Sequence, residues 1–239
     1  MKNFKQLTEE LKQISGQQGS NPGGKYKDEE TGKEFYIKHP KAKDQDKTEV
    51  LSAKLHELMG VKTLKPELTV HNDKPSVKST YNNDLEPLKS HHLDQLNLDH
   101  HKQIGNIYAA GVLTKNWDAF GTGMDYGEGN VMMDKKKHHL VSIDQGGSFN
   151  HRAQGAHKDY GSDIDEKDTF KNPKMSEGAK FVNKALSHKE VRDHVKNTLQ
   201  NLNLDHVKSA FEQSGLSNAS ELHKNFLERH KKLLDHFSS

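Results

Sequence analysis

The feature that most constrains this chain is a change of hydrophobic period near residues 81–84, Tyr81-Asn82-Asn83-Asp84. Ahead of that polar stretch, apolar residues come mostly in short runs rich in aromatic and β-branched types. From residue 93 onward they recur mainly at helical spacing. A chain ordered this way folds as α+β, with strands gathered in one part and helices in the other. We take residues 81–84 as the hinge, residues 1–84 as an N-terminal β-rich lobe with one helix, and residues 85–239 as a mainly helical C-terminal lobe.

Local signals fill in that outline. Phe4, Leu7, Leu11 and Ile14 are spaced for a helix over residues 2–15. Lys25-Tyr26-Lys27 and residues 34–38 read as strands around a Thr31-Gly32 turn. A helix is predicted over 48–59, capped by Thr48 and stopped by Gly60. Residues 67–71 and 76–80 form a hairpin across residues 72–75. A long helix over 99–115 buries Ile104, Ile107, Tyr108, Val112 and Leu113, with Ala109-Ala110-Gly111 permitting close approach. Residues 130–133 and 140–144 are two further strands about a basic turn at 135–139. Residues 145–178 are irregular, and helices over 187–202, 206–214 and 220–237 close the chain. The repeated Leu-Asn-Leu-Asp-His at 96–100 and 202–206 marks two helix starts with an Asn or Asp cap.

Composition removes several classes of function. The 239 residues suit one large domain or two lobes sharing a cleft, and the apolar fraction of 31% allows only a thin core. There is no cysteine, which excludes disulfides, thiolate zinc sites and cysteine nucleophiles. A net charge of +2 gives no field for nucleic acid, so no nucleic-acid partner is expected. No run is long enough to span a membrane, and the first residues lack the apolar segment of a classical signal peptide. The 17 histidines, several in pairs, lack metal-ligand spacing and read as exposed residues of a biased composition.

One set of polar residues carries chemistry. The stretch Gly19, Ser20, Asn21, Gly23 and Gly24, stiffened by Pro22, is a loop whose backbone N–H groups can close over phosphate oxygens. It leads into a strand ending at Lys38, which can neutralise α- and β-phosphates. Glu49, early in the next helix, can hold that lysine. Asn130 and Asp144, 14 positions apart, fit the two ends of a hairpin and supply oxygen ligands for Mg²⁺. Asp118 is the carboxylate for an acceptor hydroxyl. Each residue alone has a plainer account: a turn glycine, an edge lysine, an exposed helix glutamate, a turn cap. Their order and spacing favour ATP-dependent phosphoryl transfer.

The blocks GSNPGGKY, FYIKHP, TEVLSAKLHELMGV, NWDAFG, GNVMMD and VSIDQGGSFNHRAQG resemble those of compact bacterial kinase-like proteins related to HipA-type and phosphoinositide-kinase-like enzymes, often found in secreted effectors or toxins. The resemblance covers about residues 16–155 and is most specific in IDQGG and HRAQG. It implies a reduced, two-lobed protein-kinase-like fold with ATP in the cleft and Mg²⁺, or alternatively Mn²⁺, beside it. On that resemblance Lys38 is the nucleotide lysine and Glu49 its partner, Asp118 is the catalytic aspartate, and Asn130 and Asp144 are the metal ligands. The chain departs from eukaryotic-type kinases in lacking HRD and DFG, with Asp144-Gln145-Gly146 in place of the latter. The step from Asp118 to Asn130 is also long, so Asp125, five residues before Asn130, competes with Asp118. Arg152 and Gln154 either order their own segment or touch substrate.

These readings predict a monomeric kinase acting on Ser or Thr of a protein, made in a bacterial cytoplasm and delivered into a host or target cell. The alternatives on the same fold are a phosphoinositide or small-molecule kinase, which the basic residues 135–137 favour weakly, and an AMP transferase. A nucleotide-binding module without turnover is a different class, and the presence of all five polar positions argues against it.

Overall fold

The computed structural model describes residues 11–17, 21–121, 129–176 and 178–239. Five antiparallel strands open the chain: β1 (Leu11–Ser15), β2 (Gly23–Asp28), β3 (Glu34–Lys38), β4 (Glu67–His71) and β5 (Lys74–Thr80), in the order β1-β2-β3-β5-β4. The β2–β3 turn is closed by Asp28, whose Oδ1 accepts from the backbone N–H of Glu30 and Thr31, with Gly32 in the left-handed region. The β4–β5 turn is only Asn72-Asp73, both at positive φ, the geometry of a tight two-residue hairpin. Lys74 and Pro75, expected in the turn, therefore belong to β5.

The predicted N-terminal helix is corrected at Leu11–Ser15, which is an edge strand paired to β2. The apolar spacing that suggested a helix does not make a buried face, because Ile14 is 42% exposed. Backbone pairing to the open edge of β2 outweighs helix propensity here. The rest of that expected helix lies outside the described residues.

Helix α1 (Gln45–Leu58) crosses between β3 and β4. It starts one turn earlier than Thr48, which is not its cap: Thr48 is buried and its Oγ1 donates to the Asp44 carbonyl. Gly60, at φ 76, follows the C-terminus as expected. Beyond residues 81–84 a short strand β6 (Leu85–Pro87) pairs with β7 (Val131–Asp134), which pairs with β8 (His139–Ser142). The turn after β7 is built by Asp134, whose Oδ1 accepts from the N–H of Lys136 and Lys137.

The helical part is organised around α2 (Leu98–Thr114), whose predicted stripe from Ile104 to Leu113 is buried. Gly111 permits the close approach seen there, since a β-carbon would meet Phe170 at 3.2 Å. Around it lie α3 (Glu166–Thr169), α4 (Ala179–Ser187), α5 (Lys189–Gln200), α6 (Leu204–Gln213) and α7 (Ala219–Ser238). The repeated pentapeptides do start helices: Asn97 and Asn203 accept from the N–H of His100 and His206.

The expectation of exposed histidines is corrected for four of them, His56, His92, His100 and His101, which are buried. His100 and His92 return ring nitrogens to the backbone N–H of Asn97 and Lys89, so they complete caps. Among the described residues no group of three or more His, Asp or Glu is placed to hold a metal, and no helix is long and apolar enough to cross a membrane.

Candidate active site

Strand periodicity places the lysine. Ile37 points into the small core beneath the sheet, so Tyr36 and Lys38, one position to either side, face the opposite way. Tyr36 pairs across to Ser79 on β5. These residues, with Asn21, Glu49, Leu64, Tyr81, Ile143 and Asp144, line a cleft of about 210 Å³ between the sheet and the helical part.

Helix α1 closes the cleft with a polar face. Gln45, Glu49, Ser52 and His56 recur at helical spacing and all are buried. The first three meet the segment after β8, while His56 bonds the Ser52 carbonyl within the helix. Gln45 Nε2 donates to the carbonyls of Gly146, Arg152 and Ala153 at 3.2, 3.2 and 3.1 Å. Ser52 and Ser148 share a hydrogen bond of 2.8 Å. Glu49 Oε1 lies 2.7 Å from Lys38 Nζ, and Asp144 Oδ1 lies 2.6 Å from the same ammonium.

That ammonium sits between two carboxylates. Burial works to lower the Lys38 pKa, but Asp144 and Glu49 together hold it well above the ordinary lysine value. Burial pushes the Glu49 carboxyl up, to about 7, against the pull of Lys38. Burial also works to raise Asp144, but Lys38 outweighs it and the carboxyl stays below its ordinary value. Asp144 itself is held at φ 50, a left-handed conformation uncommon for a residue with a β-carbon.

Asn130 stands beside Asp144, donating from Nδ2 to its backbone carbonyl at 3.3 Å. Asp118 lies in a 3-10 turn (Trp117–Phe120) that follows α2, with Asn116 accepting from its N–H. Its carbonyl accepts from the N–H of Asn130, so the two segments are joined through the backbone. Burial raises the Asp118 pKa, opposed by nearby Lys158. The Asp118 carboxylate is packed against Gly147, where a β-carbon would overlap Oδ2.

The donor set fits a hard divalent cation. Lys38 takes Asp144 Oδ1, Asn130 commits only its amide nitrogen, and buried Glu49 Oε2 has no hydrogen-bond partner. Mg²⁺ characteristically uses one or two side-chain oxygens and completes its shell with phosphates and water.

The fold is one already seen in a solved structure. Over 95% of this chain and 94% of the other, it matches the crystal structure of the Helicobacter pylori proinflammatory kinase CtkA with a TM-score of 0.64 at 15% sequence identity. The chain has a kinase-like fold. By sequence, no family model and no curated protein matches it.

Within this kinase-like frame, Lys38, Glu49, Asp144 and Asn130 converge, and Asp118 stands next to the same segment. Of the glycine-rich stretch, Gly19 and Ser20 lie outside the described residues, as does Asp125. Gly23 and Gly24 are not loop residues but the first two of β2. A β-carbon at Gly23 would strike the Ile37 carbonyl, and one at Gly24 would come within 2.6 Å of Gln13 Nε2. The sheet itself requires both glycines. Asn21 does reach the cleft: it is buried and its Nδ2 donates to the Ala153 carbonyl at 3.1 Å, tying the start of β2 to the HRAQG segment.

Sequence reasoning missed Gln45 and Lys158. The polar spacing 45, 49, 52, 56 was available as a signal for the first. Lys158 is buried and donates to the Gly147 carbonyl at 2.6 Å and to the Lys115 carbonyl. Burial lowers its pKa to about 7, with Asp118 and Glu166 opposing. Nothing in a lone lysine within residues 145–178 announces that role.

Proposed function

We propose that this chain is an ATP- and Mg²⁺-dependent phosphotransferase acting on a Ser or Thr hydroxyl of a protein. The observation that carries the reading is Lys38, held between Glu49 and Asp144 in the cleft of a kinase-like fold. Residues 1–84 act as the nucleotide-covering lobe and 85–239 as the catalytic lobe. Lys38 neutralises phosphate oxygens of ATP, and Glu49 fixes its direction. Asn21 and the backbone preceding Gly23 cover the phosphates. Asn130 and Asp144 would hold the metal, which when bound would supply charge neutralisation at the phosphates. Asp118, raised by burial, orients the acceptor hydroxyl and takes its proton as the hydroxyl oxygen bonds to the γ-phosphorus and the bond to the ADP oxygen breaks.

The sequence blocks that resemble effector kinases support a role on proteins of another cell, and CtkA is itself a proinflammatory kinase. The lysines of the basic turn at 135–137 are exposed, with Lys135 Nζ 3.9 Å from Glu86 Oε2, and a lipid acceptor stays the alternative that the product analysis below tests.

Incubation with γ-labelled ATP and Mg²⁺ tests the reading. Label is expected on protein Ser or Thr, and its loss is expected in Lys38→Ala and in Asp144→Ala. Unchanged labelling in either variant removes this assignment. Transfer of AMP, or label on lipid alone, read by mass analysis of the product, replaces it with one of the alternatives.

A further inference from the structure

Three basic side chains converge on Trp117, next to Asp118 in the chain. Lys158 Nζ lies 4.8 Å from the ring centroid, the Arg152 guanidinium 5.3 Å and Lys115 Nζ 6.0 Å. With His157 and Asp159 they line an open cleft of about 360 Å³. Asp118 lies close to Lys158, and the other acids near this cleft are already engaged or exposed. Glu166 accepts from Trp117 Nε1 and lies 3.6 Å from Lys115, but it is already engaged by the fully buried Arg229. Asp159 is exposed, on the rim. The Arg152 side chain is exposed and, among the described residues, has no carboxylate partner.

Lys158 links this cleft to the site. Its Nζ is held by the carbonyls of Gly147 and Lys115, and Gly147 is the residue on which the Asp118 carboxylate packs. A group bound over Trp117 is therefore one side-chain layer from the proposed acceptor carboxylate. A guanidinium with a free fork beside the Lys115 ammonium recognises a phosphate or carboxylate. Arginine clusters read phosphorylated or acidic peptide motifs in this way.

We propose that the Lys115–Arg152–Lys158 cleft is an anion subsite for the acceptor, selecting a peptide whose hydroxyl residue neighbours a phosphorylated or acidic side chain. That the anion belongs to the acceptor rests on the phosphotransfer reading above; the binding of an anion does not.

Trp117 is the only tryptophan of the chain, so its fluorescence reports this cleft directly. The full chain, without nucleotide, is titrated with three serine pentapeptides that differ at one neighbouring residue: phosphoserine, aspartate or alanine. A saturable change is expected with phosphoserine, a weaker one with aspartate and none with alanine. Arg152→Ala is expected to weaken phosphoserine binding by about tenfold or more, and Arg152→Lys to recover part of it. No saturable change with either anionic peptide, or wild-type affinity in Arg152→Ala, overturns the subsite. Saturation by phosphoinositide vesicles but by neither peptide overturns the peptide assignment. With ATP and Mg²⁺, turnover of the acidic peptides is expected to exceed that of the alanine peptide in kcat/KM, and turnover without that preference overturns the acceptor assignment. Peptide binding with no turnover on any acceptor refutes the phosphotransfer function and leaves the anion subsite standing.

Discussion

Gly147→Ala isolates the placement of Asp118 from every ligand contact. Gly147 is buried, and its backbone is not in the left-handed region, so alanine is conformationally allowed there. The added β-carbon would overlap Asp118 Oδ2, lie 3.2 Å from its Cγ and 3.4 Å from the Ala153 nitrogen. The carboxylate has to retreat by about 1 Å, and a misplacement of that size at a reacting group costs on the order of 10²-fold in rate. Gly146→Ala is the control one residue away. Its β-carbon would meet Glu49 Oε2 at 3.2 Å, Asp144 Oδ1 at 3.3 Å and Lys38 Nζ at 3.6 Å, contacts that a few tenths of an ångström relieve. Label transfer from ATP at saturating nucleotide, with thermal unfolding to verify the fold, separates the two. We expect kcat to fall far more in Gly147→Ala than in Gly146→Ala, with the KM for ATP little changed. Equal losses in both, or a wild-type rate in Gly147→Ala, would refute the assignment of Asp118.

Arg229→Met leaves Glu166 buried without its guanidinium and is expected to cost about 3–5 kcal/mol in urea unfolding; adding Glu166→Gln should return much of it, and a smaller single-variant loss would show that the pair is not the tie it resembles. His56 is fully buried, and burial lowers its pKa from 6.5 to about 4. The unfolded chain then takes up the proton first, so stability is full above about pH 6.5 and falls as the pH drops toward 4, by up to about 3 kcal/mol. Unfolding free energies across that window should show the slope in the wild type and lose much of it in His56→Gln. Gln45→Leu strips the carbonyls of Gly146, Arg152 and Ala153 of a shared donor. A loss of about 1–3 kcal/mol is expected by thermal or chemical unfolding, and an unchanged midpoint would count against the polar face of α1 as a structural joint.

What was legible in the sequence was what local chemistry decides. The β2–β3 hairpin announced itself through aromatic and β-branched residues around Thr31-Gly32, and α2 through an apolar stripe with an asparagine cap. Lys38, Glu49, Asn130 and Asp144 could be named because each stands at the end or start of such an element. The features that were not legible depend on partners distant in the chain. Leu11–Ser15 satisfies a helical spacing and becomes a strand only because β2 offers an edge. Helix α4 is nine residues long and follows a stretch rich in lysine and glycine, so it was not read as a separate element. Arg229, Lys158 and Gln45 carry polar side chains that composition assigns to the surface, yet each is buried, with its donors taken by backbone carbonyls and, for Arg229, by Glu166 as well. The glycines at 23 and 24 were read for a ligand, whereas the neighbouring strands already account for them.

The same division explains how a chain with so few apolar residues sets the geometry of its cleft. The main apolar cluster runs through α1, α2, β7, β8 and the C-terminal helices and draws no member from the five-stranded sheet, whose own buried apolar residues are Tyr26, Ile37 and Val77. Helix α1, which carries Glu49, is thus anchored to the helical part through Leu51, Leu55 and Met59. The sheet, which carries Lys38, is tied to that body by specific polar contacts, Lys38 with Glu49 and Asp144 and Asn21 with Ala153. Apolar adhesion is non-directional and tolerates sliding, whereas hydrogen bonds and ion pairs hold only over narrow distances and angles. Burying the Lys38 ammonium and the Glu49 carboxylate carries a desolvation penalty that apolar residues of similar size would avoid. In exchange, the position of Lys38 over the cleft follows from two specific carboxylates rather than from the general packing of the sheet.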